Sequence, residues 1–357
     1  MIARSFTIVF SRNSSFLTYL LSIFMGHIQG GPSPLQRLAS LLHTERKTIN
    51  YIFIYAIVIG IFSLTIPIGI TAIFNFLSNG AMYSSTYILI AFVLFGVIVG
   101  GVLLIGQLTL VEYLEQKIFL KSAIEFSYRL PRIKPKELLG KNLVELVNRF
   151  FDVIIIQKGI IKLLIDIIAA VVTIFFSVVL LSFYHPAFLA FGLIVIFSVI
   201  TILVLYYKRG LKTSIEESEY KYETVAYLEA VAGQIDHYRG DEMKMNEVTR
   251  TTDSIVSKYL SARNDHFKVL KRFFLGSALL RTLLFGAMLL LGSYFVVERQ
   301  MTFGQFVAAE VVIVQIGYAI EKLMTNLNTI FDMLTGVVKL ATVTDLALEE
   351  DAAVYVD

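Results

Sequence analysis

Six stretches of this sequence are apolar for long enough to cross the hydrocarbon of a bilayer, and that property excludes most soluble folds. A membrane-crossing helix needs about 20 predominantly apolar residues, with a range of roughly 17 to 25. Residues 52–74, 87–111, 163–183, 187–207, 273–297 and 303–325 meet the requirement, the last least cleanly. Backbone polar groups in lipid must be satisfied inside their own element, so each run predicts a helix. The expected fold class is all-α, a polytopic membrane protein with six transmembrane helices. Composition agrees: 56% of the 357 residues are hydrophobic and 17% are charged, well below the charge of a globular domain. The absence of cysteine excludes disulfides, thiolate metal sites and cysteine nucleophiles. His27, His43, His185, His237 and His266 show no zinc-ligand spacing. A net charge of +3 is too small to argue for a nucleic-acid partner.

The connections alternate between short (75–86, 182–186, 298–302) and long (112–162, 208–272). Lys and Arg follow the same alternation. Arg37, Arg46 and Lys47 precede the first stretch, both long segments are rich in cations, and the short loops carry only Arg299. Cationic loops stay cytoplasmic during insertion. The expectation is a multi-pass membrane protein with both termini and both long segments in the cytosol.

Segment 208–272 has no proline and mixes charges of both signs among helix formers, so it predicts two long helices. If each continues a flanking span, about 25 extra residues at 1.5 Å per residue make an arm of roughly 35 to 40 Å. Segment 112–162 has the same form, broken at Leu130-Pro131-Arg132-Ile133-Lys134-Pro135, where two prolines stop one helix and allow another to begin. Residues 1–34 are expected to be a lead with neither a signal peptide nor a seventh span, 35–345 the membrane domain and 346–357 a linker end.

This layout resembles the membrane domain of ABC exporters, particularly the bacterial peptide and toxin exporter branch. Several strings are similar to that family: Leu64-Thr65-Ile66-Pro67, Glu137-Leu138-Leu139-Gly140-Lys141-Asn142 followed by Val147-Asn148-Arg149-Phe150, Tyr184-His185-Pro186, and Met301-Thr302-Phe303-Gly304-Gln305-Phe306. The resemblance covers about residues 35–350. It implies two such chains, identical or paralogous, around a central pathway, driven by two ABC ATPase domains. It also implies coupling helices across the arm tips, near Leu138–Leu146 (with Gly140, Lys141, Asn142 and Leu143) and near Glu219–Leu228 (with Tyr220, Tyr222, Glu223 and Tyr227). Aromatics among charges suit a protein interface; packing of these tyrosines against the neighbouring arm is the alternative.

A nucleotide-binding loop is missing. The only Gly-Lys pair, Gly140-Lys141, is followed by Asn142, and no Leu-Ser-Gly-Gly-Gln string occurs. No catalytic residue, metal or cofactor is therefore expected in this chain, and ATP with magnesium would be bound by a partner ATPase or by a domain missing from this chain.

Ionisable residues at hydrocarbon depth usually face protein or a watery cavity. Arg281 and Glu310 qualify, but straight helices would offset them in depth, which disfavours a direct pair. Gly317, Glu321, Asn328 and Asp332 return to the face of Glu310 at 100° per residue. Glu310, Gly317, Glu321 and Arg281 are thus candidates for lining a pathway, against a bland role facing a neighbouring helix. The small-x-x-x-small spacing of Gly96 and Gly100 suits helix packing within the chain, and Lys162 with Asp166 suits a local pair. Three functions remain open: the pathway subunit of an ATP-driven exporter of a peptide, toxin or lipophilic compound; a secondary carrier or channel using Glu310 and Arg281; and a non-transporting remnant of a fused transporter.

Overall fold

A computed structural model describes residues 32–78 and 84–349; the leader expectations, the end of the linker and part of the first short loop lie outside them. A short helix, α1 (Pro34–His43), opens the described chain. Ser33 caps it in a reciprocal box with Gln36, and Pro34 occupies the first turn, where its missing amide costs nothing. The first apolar stretch is two helices, α2 (Arg46–Ser63) and α3 (Thr65–Ser78), jointed at Leu64. Pro67 explains the joint: it cannot donate to the carbonyl of Ser63, and its ring crowds that carbonyl. The Leu64 amide turns to the carbonyl of Ile61 instead, at 3.1 Å.

Helix α4 (Ser84–Arg129) runs unbroken for 46 residues, about 69 Å at helical rise. The proline pair then acts as expected: Leu130–Arg132 is a 3₁₀ turn and α5 (Pro135–Leu138) is a single turn. After α6 (Leu143–Asn148), a 3₁₀ turn at Arg149–Phe151 leads into α7 (Asp152–Ile161), a π turn at Lys162–Ile167 and α8 (Ile168–Tyr184). Helix α9 (Ala187–Gly233) and helix α11 (Glu242–Val297) flank the one-turn α10 (Ile235–Tyr238). Their lengths of 47 and 56 residues far exceed an apolar crossing, so the membrane-type rods do continue as polar helices. Asp241 starts α11 by accepting from the amides of Met243 and Lys244. Arg299, at φ 58°, turns the chain into α12 (Phe303–Thr325), capped by the Thr302 and Gln305 box, and α13 (Leu327–Thr344) follows.

The result is helical, with six helical units long and apolar enough to cross a membrane. Helices α12 and α13 occupy the centre. Val312, Ile313, Ile316 and Ile320 of α12 and Phe331 and Leu334 of α13 are fully enclosed. Helix α12 lies among α3, α8 and α11, α13 lies along α7, and α9 pairs with α11. Helix α4, by contrast, presents Ile88, Ile98 and Ile105 outward, the surface expected of a rod whose solvent is lipid. Gly96 lets α4 approach the joint closely: a β-carbon there would lie 2.7 Å from Thr65 Oγ1. That contact is within the chain, the packing role expected for this spacing.

Two clamps close the arm end. Glu45, only 6% exposed, receives Lys117 and Lys121 of α4 at 2.7 and 2.6 Å, and these ammonium groups hold its carboxyl below the usual range. The chain after α13 pairs antiparallel with the α4–α5 break: the Lys134 amide donates to Ala347 and the Glu349 amide to Arg132.

Candidate functional site

The first arm tip is built by residues that cannot continue a helix. Leu139 and Gly140, the latter at φ +74°, reverse the chain after α5. Asn142 then caps α6 by accepting from the Val144 amide at 3.0 Å. This leaves Leu139 78% exposed, with Leu143, Val144 and Val147 also outward. Lys134, Lys136 and Lys141, all exposed, lie in the same segment. Leu138 is half-buried and packs on the core, while Gly140, Lys141, Asn142 and Leu143 stand at the surface. Exposed apolar side chains on one short reversal and the helix after it are suited to a protein groove.

The second tip is displaced from its expected position. Residues 219–228, with Tyr220, Glu223 and Tyr227, belong to the straight body of α9; the reversal comes at 234–241, where Gly240 takes φ +83°. Tyr222 points inward rather than to a partner. It is 8% exposed, its ring lies under the Arg149 guanidinium at 3.7 Å, and its hydroxyl meets Asp152 of α7. Burial and the adjacent Asp152 carboxylate push the Tyr222 hydroxyl up, so it remains a donor. The foot of the first arm is therefore bound to the second, and Asn148 donating to Glu229 repeats the connection. Tyr220 and Tyr227 are half-buried and Glu223 is exposed, facing Lys258 of α11 at 3.6 Å.

Within the apolar region Arg281 pairs with Glu321, not with Glu310. Depth decides this. Arg281 lies 16 residues from the end of α11 at Val297, and Glu321 lies 18 residues from the start of α12 at Phe303, whereas Glu310 is only 7 residues in. At helical rise the first two are level, and Glu310 is about 14 Å away along the axis. Gly317 permits the crossing, because a β-carbon there would meet Arg281 Cγ at 3.0 Å. Among the described residues, one carboxylate oxygen of Glu310 is enclosed without a hydrogen-bond partner. Tyr318, on the neighbouring side of α12, is exposed.

The polar stripe expected along this helix divides at Asn326, where α12 ends. Beyond it, Asn328 meets His266 of α11 and donates to Asp332. Asp166 has a second partner that spacing could not reveal: besides Lys162 it holds Lys322 of α12 at 2.8 Å. A cavity of about 560 Å³ between α1, α4 and α13 is lined by Arg37, Lys121, Glu125 and Asp345. Each of these charges already has an oppositely charged partner in the chain.

No protein-family model and no curated protein matches this chain. Among the described residues no group of three or more His, Asp or Glu is placed to hold a metal ion. What stands out is an outward apolar tip at the first arm and, on α12, a carboxylate oxygen of Glu310 that is enclosed and unpaired among the described residues.

Proposed function

We propose that this chain is the membrane-spanning subunit of an ATP-driven ABC-type exporter that moves a peptide, toxin or lipophilic compound by alternating access. The observation that carries this reading is the pair of helical arms. Helices α4, α9 and α11 leave the apolar region without a break and end in compact reversals, and the first reversal offers Leu139, Leu143 and Val144 outward. A self-contained carrier has little use for such levers. A partner ATPase with a groove at each tip would move the arms as it closes on ATP, and the rigid helices would tilt the spans. Helices α11 and α12 would then line the pathway with Arg281, Gly317, Glu321 and Glu310, the Arg281–Glu321 pair neutralised and Glu310 left to meet water or cargo. In this arrangement the arms extend into the cytosol of a bacterial cell, and a second copy or a paralogous chain supplies the other half of the pathway.

The test is purification from the native membrane followed by transport in vesicles. The expected result is co-purification with an ABC ATPase and ATP-dependent movement of cargo, both reduced by Leu139→Asp with Leu143→Asp. Glu310→Gln should change transport and leave the ATPase complex intact. Movement driven by an ion gradient and indifferent to ATP would assign the chain to the carriers instead.

A further inference from the structure

His266 of α11 is fully enclosed, 0% exposed, at the point where α9, α11 and α13 converge, seven residues on the arm side of the apolar stretch 273–297. Its ring is the middle of a row of polar groups that crosses all three helices. Nδ1 lies 2.9 Å from the Thr213 hydroxyl of α9, and Nε2 lies 3.3 Å from Asn328 Oδ1 of α13. The Asn328 amide donates onward to Asp332 at 3.3 Å. Phe331 closes the site edge-on at 6.0 Å. The charged groups around the row are Glu217 and Lys221 from α9, Arg263 from α11 and Asp332 from α13, with Arg263 and Glu217 paired at 3.0 Å.

One order of protons satisfies the neutral ring: Thr213 donates to Nδ1, Nε2–H donates to Asn328, and Asn328 donates to Asp332. Adding a proton at Nδ1 requires a single change. The Thr213 hydroxyl must stop donating to the ring, and the carbonyls of Arg209 and Gly210 stand 3.0 and 3.1 Å from its oxygen, ready to accept. The cationic ring then donates to both Thr213 and Asn328, so what separates the two forms in the closed packing is the cost of holding a charge away from water and not a lost hydrogen bond.

We propose that His266 is a proton-binding site that links acidity to the packing of α9 and α11 against α13. The ring is neutral while the three helices are closed and takes up a proton as they part. Enclosure from water holds its pKa below the ordinary imidazole value, opposed by attraction to Glu217, the bond to Asn328 and attraction to Asp332. At His266 the closed state therefore binds fewer protons than the open one. Acid favours opening, by up to tenfold per pH unit, as the pH falls below the free imidazole value of about 6.5 and until it reaches the depressed value. Asp332 acts in the opposite sense, since burial raises its carboxyl and the closed state favours its protonated form.

Two measurements on the full chain in nanodiscs test this. The first is ¹⁵N histidine NMR on a chain in which His27, His43, His185 and His237 are replaced by Asn, leaving His266 as the sole signal. A neutral Nε2–H ring at about pH 7 with a titration midpoint below about 6.5 is expected; a ring already charged at about pH 7, or one that never titrates, would overturn the proposal. The second exploits the cysteine-free background. Spin labels at Lys268→Cys and Thr342→Cys, both exposed, report the separation of α11 from α13. Longer distances should gain population between about pH 7 and about pH 5.5. The gain should vanish in His266→Gln, where any response left belongs to Asp332. Distances that ignore pH in the parent chain, or respond equally in His266→Gln, refute it.

Discussion

Replacing Glu45 by Gln should loosen the attachment of α1 and α2 to the first arm by an amount that can be worked out in advance. Glu45 accepts two charge-assisted hydrogen bonds, from Lys117 at 2.7 Å and Lys121 at 2.6 Å, and is itself almost enclosed. Such bonds contribute roughly 1.5–3 kcal/mol each when shielded. The lysines are 36% and 45% exposed, so water screens the pair and resolvates both ammonium groups once the carboxylate is gone. The discounted total is about 1–2 kcal/mol, since glutamine keeps the shape and one acceptor oxygen. In a chain of this size each kcal/mol moves the thermal midpoint by roughly 2 °C, so a drop of about 2–4 °C is expected. The chain has no tryptophan, so helical circular dichroism in detergent is the assay. A double-mutant cycle with Lys121→Met isolates the pair, with an expected coupling near 0.5–1 kcal/mol. The lysines lower the Glu45 pKa, so its contribution is complete above about pH 4.5 and is lost as the pH falls through the depressed value. The parent and Glu45→Gln should therefore converge in acid. A coupling indistinguishable from zero, together with equal midpoints at neutral pH, would refute the clamp.

Other substitutions read other contacts. Gly159→Ala should destabilise by about 1–3 kcal/mol despite a helix-propensity gain of about 1 kcal/mol, because the new β-carbon would lie 2.3 Å from Met333 Cβ. Gly101→Ala, which meets nothing within 4 Å, should be neutral or stabilising in the same melting assay. Phe331→Ala removes a fully enclosed ring that packs on Tyr207, His266 and Phe273, and about 3–5 kcal/mol of lost stability is expected in detergent melts. Arg281→Glu should lower the yield of folded protein on size exclusion, and adding Glu321→Arg should restore it; absence of rescue would remove the pair from the fold.

The rods were legible in the sequence because their signal is local: hydropathy, the proline pair near Pro131, and helix formers without interruption. The tip of the second arm was legible too, but in a different place. Gly233, Gly240 and the capping Asp241 are stop and start signals, whereas the tyrosines at 220, 222 and 227 drew attention to the helix body. Tyr222 shows why: an aromatic among charges looks the same whether its ring meets a partner or the neighbouring Arg149. What sequence could not supply was contact across large separations. Glu45 and Lys121 are 76 residues apart and Thr213 and His266 are 53 apart, and no periodicity connects such positions. The depth match of Arg281 with Glu321 required both helix ends to be known.

The backbone pairing of residues 347–349 with 132–134 has a mechanical corollary. The final helix and the second crossing are distant in chain order, yet this splice wires them in parallel. Tension applied at Leu348 passes sideways through the two backbone hydrogen bonds that flank it, Lys134 to Ala347 and Glu349 to Arg132, and on to the neighbouring knuckle, instead of travelling only up α13. Anything that tugs on the tail therefore also tugs on the first lever, and peeling that splice would let the two move separately.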